Sequence, residues 1–299
     1  MSKWKMVVVV PAGPNDDVAD TLRSVLHYAD PELIVVIDDT QGRGIGLKHP
    51  KLVEIPPDAS THRDLGGLWV NLSKAFRYAV EHSEFDLLLR LDADALLLGS
   101  GVAEAAGDRF ERFPETGALG AYRISPDGGL RDWTSARRAL LIELWLRGIR
   151  YPSMRRKLRK LMAASPEYIR GEHALGGAVL FRGDAVREMY RRGLLDAPEF
   201  AHSILGEDYI FGLVTVAAGY HTGDFSGPED PLALRWKGLP AAPQELLAKG
   251  KLVTHSVRFW ADMPEAEIRE YFAAARADTT GVRRWPYDSS SCAKGGSLQ

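Results

Sequence analysis

Residues 7–10 are four consecutive valines, and Pro11 closes the run. A short unbroken apolar stretch ended by proline is the pattern of a strand buried on both faces, as in a parallel sheet. The period then changes. Over 16–29, Val18, Leu22, Val25 and Leu26 recur at helical spacing, with acids in the first turn, where they complement the helix dipole. A second apolar run, 33–37, ends at Asp38-Asp39. After a glycine-rich loop come a short strand at 52–55, a helix over 68–82 and a strand over 86–91 that stops at Asp92-Ala93-Asp94. Strand–helix alternation of this kind predicts an α/β sandwich with a mostly parallel central sheet. Ligands of such sheets bind beyond the carboxyl ends of the strands, and both acidic pairs lie at those ends.

The pattern loosens further along. A strand is predicted at 117–122, one basic helix over 135–160, and a glycine-led strand at 176–181. Helices follow at 184–192 and 208–218, the second opened by Glu207 and Asp208. Residues 223–250, rich in Gly, Pro and Ala, read as loop, and 264–277 as a helix. The tail, 289–299, is small and polar, hence expected to be mobile.

Cys292 is the only cysteine, which excludes an intrachain disulfide and fits a reducing compartment, so a cytoplasmic location is expected. No apolar stretch approaches the roughly 20 residues that span a bilayer. The opening segment is too short and wrongly flanked for a signal peptide. The chain's net charge of −2 hides an asymmetry: residues 131–170 hold eleven Lys/Arg against three Asp/Glu. Within that segment Leu140, Leu141, Leu144, Trp145 and Ile149 form an apolar stripe. A basic amphipathic helix suits peripheral contact with an anionic membrane or a phosphorylated acceptor; it equally suits a solvated helix packed on the domain. No motif supports nucleic-acid binding.

Asp92 and Asp94, one residue apart where a strand gives way to a loop, can converge on one divalent cation. Mg²⁺ and Mn²⁺ prefer oxygen ligands and often carry substrate phosphates, so the expected client is phosphorylated or nucleotide-linked. The bland alternative is a pair of solvated loop acids. Gly42, Gly44 and Gly46 are spaced G-x-G-x-G, which reads as a flexible loop rather than a phosphate-binding fingerprint.

Five blocks then stand in a fixed order over roughly residues 6–220: VVVVPAGPNDDVADTLRSVL, LIVVIDDT, DLLLRLDADALLL, GGAVLFRGDAVREM and GEDYIFGLVTVAAGY. Together they resemble the GT-A glycosyltransferases, most closely the inverting family 2 that includes cellulose and hyaluronan synthases and many bacterial surface-sugar transferases. The resemblance implies a Rossmann-like α/β/α sandwich, with residues 1–125 as the donor-binding half, 126–288 as the acceptor-binding and catalytic half of the same domain, and 289–299 as its tail. It implies metal-dependent transfer of one sugar from a nucleotide-diphosphate sugar, UDP favoured, to the hydroxyl of a small-molecule, glycan or lipid-linked acceptor, with inversion. The cofactor would be Mn²⁺ or Mg²⁺. Asp94 would bind the metal directly. Asp92 would contact the donor ribose or the metal through water. His255 would be a third ligand, with His221 and His173 as weaker rivals. Asp39, or in its place Asp38, would meet the nucleobase in a pocket lined by Pro11 and Ala12. Asp208 would be the general base, with Glu207 binding acceptor or serving structure. Simple helix-start acids and a satisfied core histidine remain the plain alternatives for Asp208, Glu207 and His255.

Departures shape these expectations. Asp16 stands where the family usually has Glu, and the loop 11–15 looks one residue longer. Leu234-Arg235-Trp236 lacks the Gln of the Gln-x-x-Arg-Trp motif of processive synthases, which points to single addition. Two rival readings are a haloacid-dehalogenase-like phosphatase with Asp92 as nucleophile, from which Ala95 and Leu96 depart, and a non-catalytic nucleotide-sugar-binding protein. A sugar-nucleotide pyrophosphorylase lacks its early Gly-rich basic signature here.

Overall fold

The computed structural model describes residues 3–59 and 65–278. The tail 289–299 lies outside them. The first half runs β1 (Met6–Ala12), α1 (Val18–Tyr28), β2 (Leu33–Asp38), β3 (Leu52–Ile55), α2 (Gly66–His82), β4 (Leu87–Leu91), β5 (Ala95–Leu97), α3 (Val102–Arg112) and β6 (Thr116–Ala121). Then come α4 (Thr134–Ile142), a π turn (Glu143–Arg147), α5 (Gly148–Arg150) and α6 (Pro152–Ala163). After β7 (Leu175–Arg182) and α7 (Gly183–Arg191), a 3₁₀ segment (Pro198–His202) leads to α8 (Glu207–Ala217), β8 (His221–Asp224) and β9 (Leu232–Leu234). The described chain ends with α9 (Pro243–Ala248), β10 (Val253–His255), β11 (Phe259–Trp260), β12 (Met263–Pro264) and α10 (Glu265–Ala277).

Seven strands form the central sheet in the order β3-β2-β1-β4-β7-β6-β8. All neighbours pair parallel except β7, which is antiparallel to both β4 and β6. This is the α/β sandwich with a mostly parallel sheet that the alternation predicts, and its strands come from both 1–125 and 126–288. The valine run shows why it forms. Val7 and Val9 point into one core with Trp69 and Phe76 of α2 and Phe211 of α8. Val8 and Val10 point into the other with Leu22 and Val25 of α1. Successive side chains of a strand face opposite ways, so a strand covered on both sides must be apolar throughout.

A smaller sheet, β5-β10-β9, sits over a third apolar cluster that includes Leu96, Leu246, Ile268 and Phe272. Its strands have only three residues each, too few to show a period, which is why 223–250 looks like loop in the sequence. The structure corrects that expectation: β9 and α9 lie within it. The single helix expected over 135–160 is also corrected. It breaks at Tyr151-Pro152, because proline offers no N–H and disfavours helix in the residue before it. Pro152 instead starts α6, where its missing donor costs nothing. Among the described residues no helix is long and apolar enough to cross a membrane.

Candidate active site

The carboxyl ends of β1, β2 and β4 meet β10 at one rim. Asp92 is fixed by its own N–H, which donates to the Gly177 carbonyl at 2.8 Å. The Ala93 carbonyl accepts from Thr21 Oγ1 at 2.6 Å and from Arg269 Nη2 at 2.9 Å. Asp94 returns a backbone bond, its carbonyl accepting from Val257 N–H at 2.9 Å. The tripeptide is therefore clamped from α1, α10 and the turn after β10.

Three side chains converge there. His255 Nε2 lies 3.1 Å from Asp94 Oδ1 and 3.7 Å from Asp92 Oδ2, and the ligand atoms of Asp92, Asp94 and His255 all fall within 4.8 Å of one another. The remaining atoms are spoken for. Asp92 Oδ1 pairs with Arg90 Nη2 at 2.8 Å. Asp94 Oδ2 accepts from Ser256 Oγ at 2.7 Å and from Arg258 Nε at 3.1 Å. His255 Nδ1 is 2.8 Å from the Arg235 carbonyl. A carbonyl can only accept, so Nδ1 carries a proton and Nε2 faces the carboxylates. That is how a ligating histidine is commonly oriented. Two carboxylate oxygens and one imidazole nitrogen could hold Mn²⁺ or Mg²⁺ with positions left for phosphate or water. His221 and His173 lie outside this cluster: His221 is exposed beside Glu167, and His173, though it lines the larger cavity described below, stacks on Tyr209 with ring centres 4.0 Å apart.

The electrostatics follow from burial. Burial opposes charge on Asp94, but hydrogen bonds from His255 and Ser256 and the nearby Arg258 hold its carboxyl below the usual range. Burial raises Asp92, against the pull of Arg90. His255 is raised because Asp94 and Asp92 outweigh its burial, so cation binding there would release a proton.

Gly177 makes this arrangement possible. Its φ is +92°, and a Cβ built on it would lie 2.4 Å from His255 Cγ. Gly176 performs the same service on the other side, where a Cβ would lie 2.6 Å from Arg90 Nη1 and 2.9 Å from Asp208 Oδ1. Gly177→Ala is expected to displace His255 and weaken Mn²⁺ binding by about tenfold or more, read by calorimetry. Unchanged affinity would show that His255 is not a ligand.

Arg90, buried at 1 % exposure, is the hub that sequence reasoning missed. Besides Asp92 it reaches Glu207 Oε1 at 2.7 Å and Asp208 Oδ1 at 3.5 Å. Asp208 Oδ2 accepts from Gly176 N–H at 2.7 Å. A lone arginine inside the apolar run 87–91 is itself a signal, because a buried charge demands partners. Ser256 and Arg258 were missed as well; only their closeness to His255 could have hinted at them. Arg258 also bonds Asp16 Oδ1 at 2.6 Å and Glu265 Oε2 at 3.1 Å.

Glu207 is pushed up to about 8 by burial and by Asp208, against Arg90. Its ordinary value is 4.5, so the folded chain holds a proton that the unfolded chain releases. The stability this adds is complete below 4.5 and is lost as pH rises toward 8. Urea melts of metal-free protein are expected to lose stability over that window, and Glu207→Gln to flatten the loss. An identical slope in the variant would contradict the placement of Glu207.

Two cavities share the acidic pair. One, of about 260 Å³, is lined by Pro11, Ala12, Asp39, Asp92, Asp94 and Arg258, among others. Asp38 does not line it and instead accepts from Thr40 N–H at 3.0 Å and from the Thr40 hydroxyl. The other, of about 850 Å³, is lined by Asp92, Asp94, His255, Glu207, Asp208 and Trp236 with further residues. Arg235 and Trp236 also line this larger cavity.

No family model matches the chain, and no curated protein sequence matches it. Solved structures similar to it include the galactosyltransferase LgtC in complex with donor and acceptor sugar analogues, at 12% identity over 93% of this chain and 97% of that one, TM-score 0.46. Core-mannan synthase A of Aspergillus fumigatus in its Mn/GDP form is similar at 9% identity over 74% and 72% of the two chains, TM-score 0.40. Glucosyl-3-phosphoglycerate synthase of Mycobacterium tuberculosis with Mn²⁺, UDP and glucosyl-3-phosphoglycerate is similar at 12% identity over 82% and 75%, TM-score 0.37. At these scores the likeness says nothing of substrate or mechanism, which rest on the residues themselves.

Proposed function

We propose that this protein is a metal-dependent glycosyltransferase that moves a single sugar from a nucleotide-diphosphate sugar to an acceptor hydroxyl, with inversion. One observation carries the reading: Asp92, Asp94 and His255 converge at the boundary of two cavities. On one side Pro11, Ala12 and Asp39 supply an apolar wall and an acceptor of hydrogen bonds suited to a nucleobase. On the other, Glu207 and Asp208 face the larger space, suited to the acceptor. A bound Mn²⁺ or Mg²⁺ would offset the charge of the departing diphosphate as a Lewis acid.

The chain's own groups divide the remaining work. Asp208, oriented by the Gly176 N–H, takes the proton from the acceptor hydroxyl. Arg90 ties Asp208 and Glu207 to Asp92, keeping base and donor site in one register. Asp39 pairs with the nucleobase, and UDP is favoured by the family resemblance. No observation favours the phosphatase reading, in which Asp92 would be the nucleophile.

Donor hydrolysis tests the stereochemistry without a known acceptor. With water in place of the acceptor, an α-linked UDP-sugar is expected to release the β-anomer first, followed by proton NMR. Release of the α-anomer would remove Asp208 from the role of base for an inverting reaction.

A further inference from the structure

We propose that the surface made by α4, the π turn, α5 and α6 docks on a bilayer carrying anionic headgroups. The apolar stripe of this segment splits in the fold. Leu140 turns into the core, while Leu141, Trp145, Leu146 and Ile149 remain 47%, 63%, 69% and 76% exposed. Such a run of large apolar side chains on one outer face calls for a partner.

Cations surround it. Arg137, Arg138, Arg150, Arg156, Arg159 and Lys160 are exposed on the same helices. Arg155 of α6 brings its guanidinium 6.0 Å from the Trp145 ring centre. Gly148 admits it there, since a Cβ would lie 2.6 Å from Arg155 Cδ. Between residues 133 and 166 the only acid is Glu143, and it is buried. The face therefore offers positive charge and apolar bulk together. An anionic bilayer complements both, with tryptophan at headgroup depth. A second copy of this face would set cation against cation, and nucleic acid would leave the leucines and isoleucine unused.

The placement has a consequence that rests on the transferase reading. Ser135 and Ala136 of α4 line the larger cavity with Glu207 and Asp208. Trp145 lies nine residues further along, about 14 Å at helical rise. A bilayer against the stripe thus comes within reach of the acceptor side, and the acceptor hydroxyl belongs to a lipid-linked molecule.

The test is co-sedimentation of the full chain with vesicles of phosphatidylcholine containing about 30% phosphatidylserine, and with phosphatidylcholine alone. Binding is expected to the anionic vesicles and to weaken with salt. The combined change Arg156→Glu, Arg159→Glu and Lys160→Glu should weaken it about fivefold or more per cation. The pair Trp145→Ala and Ile149→Ala should weaken it about tenfold or more. Both variants should keep the parent's urea melt, since these side chains are exposed. No binding to anionic vesicles at low salt, or equal binding by parent and both variants, would overturn the proposal. So would a dimer in light scattering that the Trp145 and Ile149 changes abolish, or binding of duplex DNA with the same dependence and no vesicle binding. Vesicle binding needs neither donor nor metal, so it stands if nucleotides fail to bind. Conversely, sugar transfer by a chain that ignores vesicles would remove the docking surface and leave the transferase intact.

Discussion

Arg90→Met is expected to lower the stability of the folded chain by about 3–5 kcal/mol. The guanidinium is the shared counter-charge of Asp92, Glu207 and Asp208, and methionine fills similar space without answering any of them. Removing one partner of a buried ion cluster leaves the others desolvated and mutually repelling. The loss should show in urea melts near neutral pH and shrink as pH falls and the carboxylates take up protons. A loss under about 1 kcal/mol, the size typical of an exposed pair, would mean that Arg90 is not the hub.

Asp208→Asn is expected to slow turnover by about 10²–10⁴-fold while leaving nucleotide affinity nearly unchanged. Asparagine keeps the shape and can still accept the Gly176 N–H through its amide oxygen, but it cannot take a proton at neutral pH. The readout is UDP release from a UDP-sugar, with water or an acceptor as the attacking hydroxyl. Comparable loss in Glu207→Gln would not separate the two acids, so the rate profile against pH decides. The group whose loss removes the acid limb of the profile is the base. Turnover within about threefold of the parent, well short of what a general base contributes, would end the role assigned to Asp208.

The parts of the fold that were legible are those whose burial is complete. Strands β1, β2 and β4 announce themselves because a parallel strand covered on both faces must be apolar at every position. Their ends are marked by the acids themselves, so the pattern alone places Asp39, Asp92 and Asp94 at one rim. His255 entered only through what the family resemblance implies, and its partners were not legible at all. Arg235 supplies a backbone carbonyl, which any residue has. Glu207 and Asp208 meet Arg90 across more than a hundred residues of chain, a contact that no local period encodes. Gly176 and Gly177 read in the sequence as the start of a strand, and the space beside them is taken by Asp208, Arg90 and His255. The small sheet β5-β10-β9 escaped because three-residue strands carry no alternation. The helix break at Pro152 was written in the sequence, but the basic, apolar pattern on either side ran through it.

The central claim is that Asp92, Asp94 and His255 hold a divalent cation that in turn holds a nucleotide diphosphate. Calorimetric titration of UDP, GDP and dTDP, with Mn²⁺ and with EDTA, tests it most directly. The account predicts tight binding of one nucleotide, UDP by the resemblance, that appears with Mn²⁺ and vanishes with EDTA or in Asp94→Ala. Binding of no nucleotide under either condition, or binding indifferent to Mn²⁺ and to Asp94, would contradict it.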